Sequence, residues 1–213
     1  MFQLDFRTAA IIDGTDRVRF IGIYEESFPH EERDEPHRLL GSIASGKRQC
    51  DLVYVGGELV GFAVVLGLSA HNIQFLEYFA IDSRHRNRAI GTRFLKHLTD
   101  RLRLQKQSIP GVVFEVERPD PAAAEAHRLR QRRIDFYTRN GAVLVECALA
   151  YKAPNLAGEG TIPYLLMWLP LDPAVNRLHG KLLQECVVAV LTESYGLNAG
   201  DTVVTDAVAK LTC

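Results

Sequence analysis

Hydrophobic and polar positions along the chain change period several times, and each change marks an element. Residues 3–9 alternate as a short strand. In "DGTDRVRFIGIYEESF", Asp and Thr caps precede Val18, Phe20, Ile21, Ile23 and Tyr24, a helical stripe that Pro29 ends. "EERDEPHRLLGSIASG" reads as a loop and a second short helix stopped by Gly46. Two β-rich runs flank Gly56-Gly57 in "CDLVYVGGELVGFAVVLGL", a hairpin signal, and "NIQFLEYFAI" is a third such run. Ala89 to Leu104 is helical, with Ile90, Phe94, Leu95 and Leu98 on one stripe. "VVFEVE" alternates as a strand. Ala122–Arg139 is a further amphipathic helix with Asn140-Gly141 as its stop.

The remaining runs, "AVLVECALAY" and "PYLLMWLPL", read as strands. Residues 173–213 carry an apolar helix, "LHGKLLQECVVAVLTESYG", and a shorter capped one, "NAGDTVVTDAVAKL". Strands joined both by hairpins and by helical crossovers imply a mixed sheet in an α/β arrangement. "LLQECVVAVL" is too apolar to lie exposed, so it is expected to pack on the core or on a second copy, leaving monomer and homodimer both open.

Composition adds bounds. The 213 residues are 47% hydrophobic and 24% charged, ordinary for a globular domain with an appendage. A net charge of -1 gives no global pull toward nucleic acid or a membrane surface. The longest uncharged run, Leu59–Leu76, is broken by glycines, His71, Asn72 and Gln74, and so is not a membrane span. No signal-peptide pattern opens the sequence. Cysteines 50, 147, 186 and 213 form no CxxC pair and are expected as buried thiols, Cys50 and Cys147 above all. A cytoplasmic location is the expectation that follows. The seven histidines form no HxxxH or HExxH pair, so no metal is expected.

Local charge changes the picture more. "RHRNRAIGTRFL", residues 84–95, crowds four arginines round a small-residue turn between a strand and a helix. Three readings fit its composition: a solvated basic face, a nucleic-acid patch or a phosphate cradle. Position favours the third. The first N–H groups of a helix are unpaired and lie at the positive end of its dipole, and small residues let oxygens approach them. The segment lacks both GxxxxGK[ST] and GxGxxG, so it is neither a Walker loop nor a Rossmann fingerprint.

Residues 80–98, "AIDSRHRNRAIGTRFLKHL", resemble the pyrophosphate-binding motif of the GNAT superfamily of N-acetyltransferases, Arg/Gln-x-x-Gly-x-Gly/Ala. Here it runs Arg86, Asn87, Arg88, Ala89, Ile90, Gly91, Thr92, with Ala89 in place of the first glycine. Because a positive φ would strain alanine, Ala89 is expected already inside the helix. "RRIDFYTRNGAVL" at 132–144 resembles the later GNAT helix, whose Tyr-x-x-x-Gly signature places Tyr137 beside the coenzyme sulfur. The asparagine often found earlier on that helix is absent, and Arg130 stands near its place. The resemblance covers about residues 3–171.

The resemblance implies a GNAT fold: a mostly antiparallel mixed sheet with splayed central strands and flanking helices, spanning 1–172, followed by a helical extension at 173–213. It implies acetyl-CoA as cosubstrate, an amine acceptor, and direct attack on the thioester, with no nucleic-acid or membrane partner. Arg86 to Thr92 would hold the pyrophosphate. Main-chain groups of Phe79 and Ile81 would hold the pantetheine arm, and Tyr137 would protonate the leaving thiolate. Glu77 is the candidate base, with a buried structural anchor as its competing role and Glu115 and Glu117 as rivals. A GNAT-like sensor or interaction module without turnover is the alternative. "SFPHEERDEP", residues 27–36, is similar to a bacterial GNAT group of undefined substrate. The acidic stretch around it reads as a solvated face, with attraction of a cationic amine as the other reading, and the arginines of "HRLRQRR" read as a solvated face, in part as counter-charge for the coenzyme.

Overall fold

A computed structural model describes residues 3–120 and 124–212. The strands are β1 (Leu4–Ala9), β2 (Gln49–Val55), β3 (Glu58–Gly67), β4 (Gln74–Ile81), β5 (Gly111–Glu117), β6 (Val143–Leu144), β7 (Lys152–Pro154) and β8 (Thr161–Pro170). The helices are α1 (Gly14–Ser27), α2 (Pro36–Ala44), α3 (Ile90–Arg103), α4 (Ala124–Arg139), α5 (Gly180–Ala189) and α6 (Thr202–Ala209). The sheet runs β1-β2-β3-β4-β5-β8-β6, with β7 on β8. It is a mixed, mostly antiparallel sheet flanked by helices, the α/β arrangement that the sequence resemblance implies.

The chain forms two compact units. One holds residues 1–66, 76–104 and 155–159, the other 67–75, 105–154 and 160–213. The tail from residue 173 to 212 falls in the second unit with β5–β8.

In the first unit the Gly56-Gly57 turn, both residues at positive φ, joins β2 and β3 as the sequence pattern predicts. Phe20, Ile23 and Tyr24 of α1 and Leu39 and Ile43 of α2 are the helical stripe, and they pack with Leu52, Phe62 and Val64 of the hairpin. Phe20 and Phe62 rings lie 4.1 Å apart.

In the second unit β5 pairs with β8 along its whole length, from Gly111 opposite Pro170 to Glu117 opposite Tyr164. The first residues of β4 join this unit through a parallel ladder, Gln74 opposite Val112 and Phe75 opposite Val113. Leu183, Cys186 and Val187 of α5 are buried, which satisfies the apolar pattern of the tail helix.

Two expectations fail here. The run 142–151 is not one strand. Val143 and Leu144 pair with Trp168 and Met167 at the sheet edge, and the chain then turns through a 3-10 segment at Glu146–Ala148. Cys147 consequently sits half-buried on that turn and is disulfide-bonded, not a buried thiol. Cys50 and Cys186 are buried free thiols. Burial pushes the Cys186 thiol up to about 12, so it is inert at neutral pH. Cys213 lies outside the described residues.

Candidate active site

The loop between β4 and α3 belongs to the first unit. Asp82 fixes its start. Its buried carboxylate accepts from Arg84 Nε (3.1 Å) and Nη2 (3.0 Å), Arg19 Nη2 (2.7 Å) and the Arg84 backbone N–H (2.9 Å). These bonds, Arg84's first, hold Asp82 well below the usual carboxylate range. Arg84 also reaches Glu58 at 3.2 Å, so it serves the loop's foundation. Arg86 folds back: its Nε donates to Ile81 O at 2.9 Å and its Nη2 to Ser27 Oγ at 3.4 Å.

Beyond Arg86 the backbone turns through two left-handed residues, Asn87 at φ 61° and Ala89 at φ 58°. Ala89 is the N-cap of α3, not its first residue as expected. The physical reason is the sharp reversal from strand to helix, which needs a positive φ at that position whichever residue occupies it. Asparagine tolerates the left-handed region, whereas alanine there costs roughly 1–2 kcal/mol. A turn with left-handed residues on either side of Arg88 can aim its N–H groups to one side, and Ala89 offers no side-chain cap to the helix end. Arg86, Asn87, Arg88, Ala89 and Thr92 are exposed and Gly91 partly so, while Ile90 is buried and anchors the turn.

Phe79 and Ile81 sit on β4. Asp82 N–H donates to Val60 O at 2.8 Å. By strand alternation the main-chain groups of Phe79 and Ile81 face the edge away from β3. The Phe79 ring stacks on Phe94 of α3 at 5.4 Å, tying the strand to the helix that the loop introduces. Glu77 is placed otherwise than a wet cleft would require. Its two oxygens take Arg48 Nε at 2.5 Å and Nη2 at 2.9 Å. The side chains are 4% and 9% exposed. Both oxygens of Glu77 are thus engaged by Arg48 in a buried ion pair. Arg48 lies 29 residues away, at the end of the loop leading into β2, and no local signal marked it.

In the second unit Tyr137 is buried on α4, its ring 4.3 Å from Phe114 of β5. Burial pushes its hydroxyl up to about 12, opposed by nearby Arg133, so it is a proton donor at neutral pH. Glu117 accepts from Arg130 Nε (3.0 Å) and Arg133 Nη1 (2.5 Å), which accounts for the two inward arginines of "HRLRQRR". Glu115 accepts from two phenols, Tyr151 at 2.6 Å and Tyr195 at 2.5 Å. Neither tyrosine was marked by sequence reasoning: one lies in a run read as strand, the other in a run read as apolar helix.

His71 is half-exposed and bonded to Glu185 at 2.6 Å, a surface placement. Among the described residues no group of three His, Cys, Asp or Glu side chains is arranged to hold a metal, and no helix is long and apolar enough to cross a membrane.

The Acetyltransferase (GNAT) family profile matches residues 17–141. No curated protein sequence matches the chain. Among solved structures, a GNAT-family protein from Bacteroides thetaiotaomicron is 26% identical, with 91% of this chain and 99% of that one covered at a TM-score of 0.68. An aminoglycoside 6'-N-acetyltransferase complexed with coenzyme A is 16% identical (79% and 98% covered, TM-score 0.61). Diaminobutyrate acetyltransferase from Paenibacillus lautus, in complex with its substrate and coenzyme A, is 17% identical (81% and 98%, TM-score 0.56). The last two share the fold. With its family profile, its sheet and its exposed strand-to-helix turn in agreement, the chain belongs to the GNAT acetyltransferase family and is an acyl-transfer enzyme.

Proposed function

We propose that this enzyme moves an acetyl group from acetyl-CoA to an amine by direct attack on the thioester. The observation that carries the reading is the left-handed turn at Asn87 and Ala89, which bares the N-terminus of α3 in a chain of this family. That arrangement suits a pyrophosphate, bound by main-chain N–H groups from Arg88 to Thr92. Arg88 adds charge, and Arg86 and Asn87 shape the turn. The outward main-chain groups of Phe79 and the N–H of Ile81, whose carbonyl already accepts from Arg86 Nε, suit the amide-bearing pantetheine arm, which binds as an added strand would.

In the reaction the amine nitrogen forms a bond to the thioester carbon and the carbon–sulfur bond breaks. A primary amine is mostly protonated at neutral pH, its ordinary pKa being near 10.4. One proton must therefore leave the nitrogen, and one must reach the departing thiolate. Tyr137, kept protonated by burial, is assigned to the thiolate. Glu77 is assigned the anchoring role, because Arg48 occupies both of its oxygens in a buried pair. Glu115, which accepts from the Tyr151 and Tyr195 hydroxyls, is assigned to the nitrogen's proton.

Calorimetry with acetyl-CoA tests the first half. Wild type is expected to bind, and Gly91→Glu, which puts bulk and charge at the phosphate position, to lose binding. No binding by wild type at millimolar acetyl-CoA sinks the reading. Thiol release across an amine panel tests the second half. Tyr137→Phe is expected to lose about 100-fold in turnover with affinity for acetyl-CoA kept.

A further inference from the structure

Two arginines of the loop after β4 are held in opposite ways. Arg84 is paired with the carboxylates of Asp82 and Glu58. Arg86 meets no carboxylate among the described residues. Its Nε donates to the Ile81 carbonyl at 2.9 Å and its Nη2 to Ser27 Oγ at 3.4 Å, both neutral acceptors, and the residue is exposed. Ser27 is the last residue of α1. A helix ends in unpaired carbonyls at the negative end of its dipole, which suits a cation, and α1 has no basic residue of its own in that last turn. Arg86 takes that place.

The Ile81 carbonyl is the acceptor that matters. It closes β4 on the edge turned away from β3, just before the chain enters the loop. A ligand laid along that edge as an added strand uses its carbonyls as well as its N–H groups. With Arg86 in place, this carbonyl is taken. An anion changes the balance. A guanidinium has five N–H donors, and its hydrogen bonds to a charged acceptor are roughly twice as strong as those to a neutral one. Arg86 opens the turn whose left-handed residues, Asn87 and Ala89, lead into the N-terminus of α3. A pyrophosphate at that turn competes for the guanidinium against two neutral oxygens.

We propose that Arg86 is a placeholder. In the free enzyme its guanidinium closes the Ile81 carbonyl, and it exchanges that carbonyl for the pyrophosphate when the nucleotide half of the coenzyme binds, which opens the β4 edge to the pantetheine half. The inference rests on the reading of the β4–α3 turn as a pyrophosphate site. It couples the two halves of the coenzyme through one side chain, and such coupling is reciprocal: each half strengthens the binding of the other. Arg84 takes no part, because its carboxylate partners hold it in both states.

The test is nuclear magnetic resonance on the full chain, labelled with ¹³C-carbonyl isoleucine, ¹⁵N-aspartate and ¹⁵N-glycine. The Ile81–Asp82 signal is the one missing in Ile81→Val, and the Gly91 signal the one missing in Gly91→Ala. ADP is the first probe, since it carries a pyrophosphate and no pantetheine. In wild type it is expected to move Gly91 and to bring the Ile81 carbonyl to the position it holds in ligand-free Arg86→Ala. In Arg86→Ala it is expected to move Gly91 alone. A wild-type Ile81 signal that stays put while Gly91 moves overturns the proposal, and so does an equal Ile81 shift in both proteins. Acetyl-CoA separates the two ways of failing. If it too leaves Gly91 unmoved at millimolar levels, the pyrophosphate reading beneath is lost. If it moves Gly91 and ADP does not, the exchange driven by the nucleotide half is overturned. The second probe is S-acetylpantetheine, followed at the Phe79 N–H with added ¹⁵N-phenylalanine. Its affinity is expected to rise about fivefold with saturating ADP in wild type, the scale of one hydrogen bond, and to show no ADP dependence in Arg86→Ala. No rise in wild type also overturns the proposal.

Discussion

Glu77 and Arg48 meet through two hydrogen bonds, 2.5 and 2.9 Å, with both side chains more than nine-tenths buried. A pair this buried is stabilising only as a pair. Removing one partner leaves a charge in the interior and costs about 3–5 kcal/mol, whereas replacing both with apolar groups is often neutral. Arg48→Met alone is therefore expected to lower urea stability by that amount, and Arg48→Met with Glu77→Leu to recover most of it. If the recovered double variant also keeps its turnover within about threefold, Glu77 is an anchor. A loss near 100-fold in a folded double variant would return it to the base role.

Ala89 allows the opposite kind of change. At φ 58° and ψ 10° it holds a conformation that glycine adopts without strain. Ala89→Gly relieves roughly 1 kcal/mol in the folded state and gives part of it back through the freer unfolded chain. The expected result is a small rise in thermal stability with acetyl-CoA affinity unchanged by calorimetry. Ala89→Val, β-branched at the same φ, should lose both.

Asp82 makes stability depend on acid. Its folded-state pKa is depressed, first by Arg84 and then by Arg19, so its contribution is full above the ordinary carboxylate value near 4 and is lost as pH falls below that toward the depressed value. Asp82→Asn is expected to cost about 2 kcal/mol at pH 7, the scale of hydrogen bonds to a charged group. The gap between variant and wild type should narrow steadily below pH 4 in denaturant titrations. A gap that stays constant to pH 2 would show that Asp82 is not the group involved.

These sites differ in how far the sequence reveals them. The Gly56-Gly57 turn and the strand–turn–helix order around Arg86 are local patterns found where the periodicity puts them, and of the α1 stripe Phe20, Ile23 and Tyr24 are buried while Val18 is exposed. The backbone state of Ala89 is not local. Its neighbours favour a helix, and only the direction in which β4 must hand over to α3 forces a positive φ. The partners of Glu77 and Glu115 lie 29, 36 and 80 residues away. The pattern could say that a mid-strand carboxylate needs an explanation, and it could not say which distant side chain supplies it. The run 142–151 misled for a related reason. An apolar, β-branched composition is shared by strands and by buried turns, and only the two-residue pairing with β8 decides between them.

The packing of β5 on β8 turns on one missing methyl group. A Cβ at Gly111 would lie 2.4 and 2.5 Å from the Trp168 ring and 2.7 Å from Leu169 O. Trp168 cannot easily yield, since it is fully buried and its Nε1 donates to Val175 O at 2.9 Å. Gly111→Ala must therefore move either the indole or the β8 backbone, and overpacking of this kind costs about 1–3 kcal/mol or more. Trp168 is the single tryptophan of the chain, so its fluorescence reports the change directly. The variant is expected to show a red-shifted emission and an earlier urea midpoint. Gly67→Ala, where a Cβ would meet the Gln74 amide at an ordinary 3.6 Å, should show neither. Equal effects at the two positions would mean that loss of glycine in a strand, rather than the Trp168 contact, sets the cost.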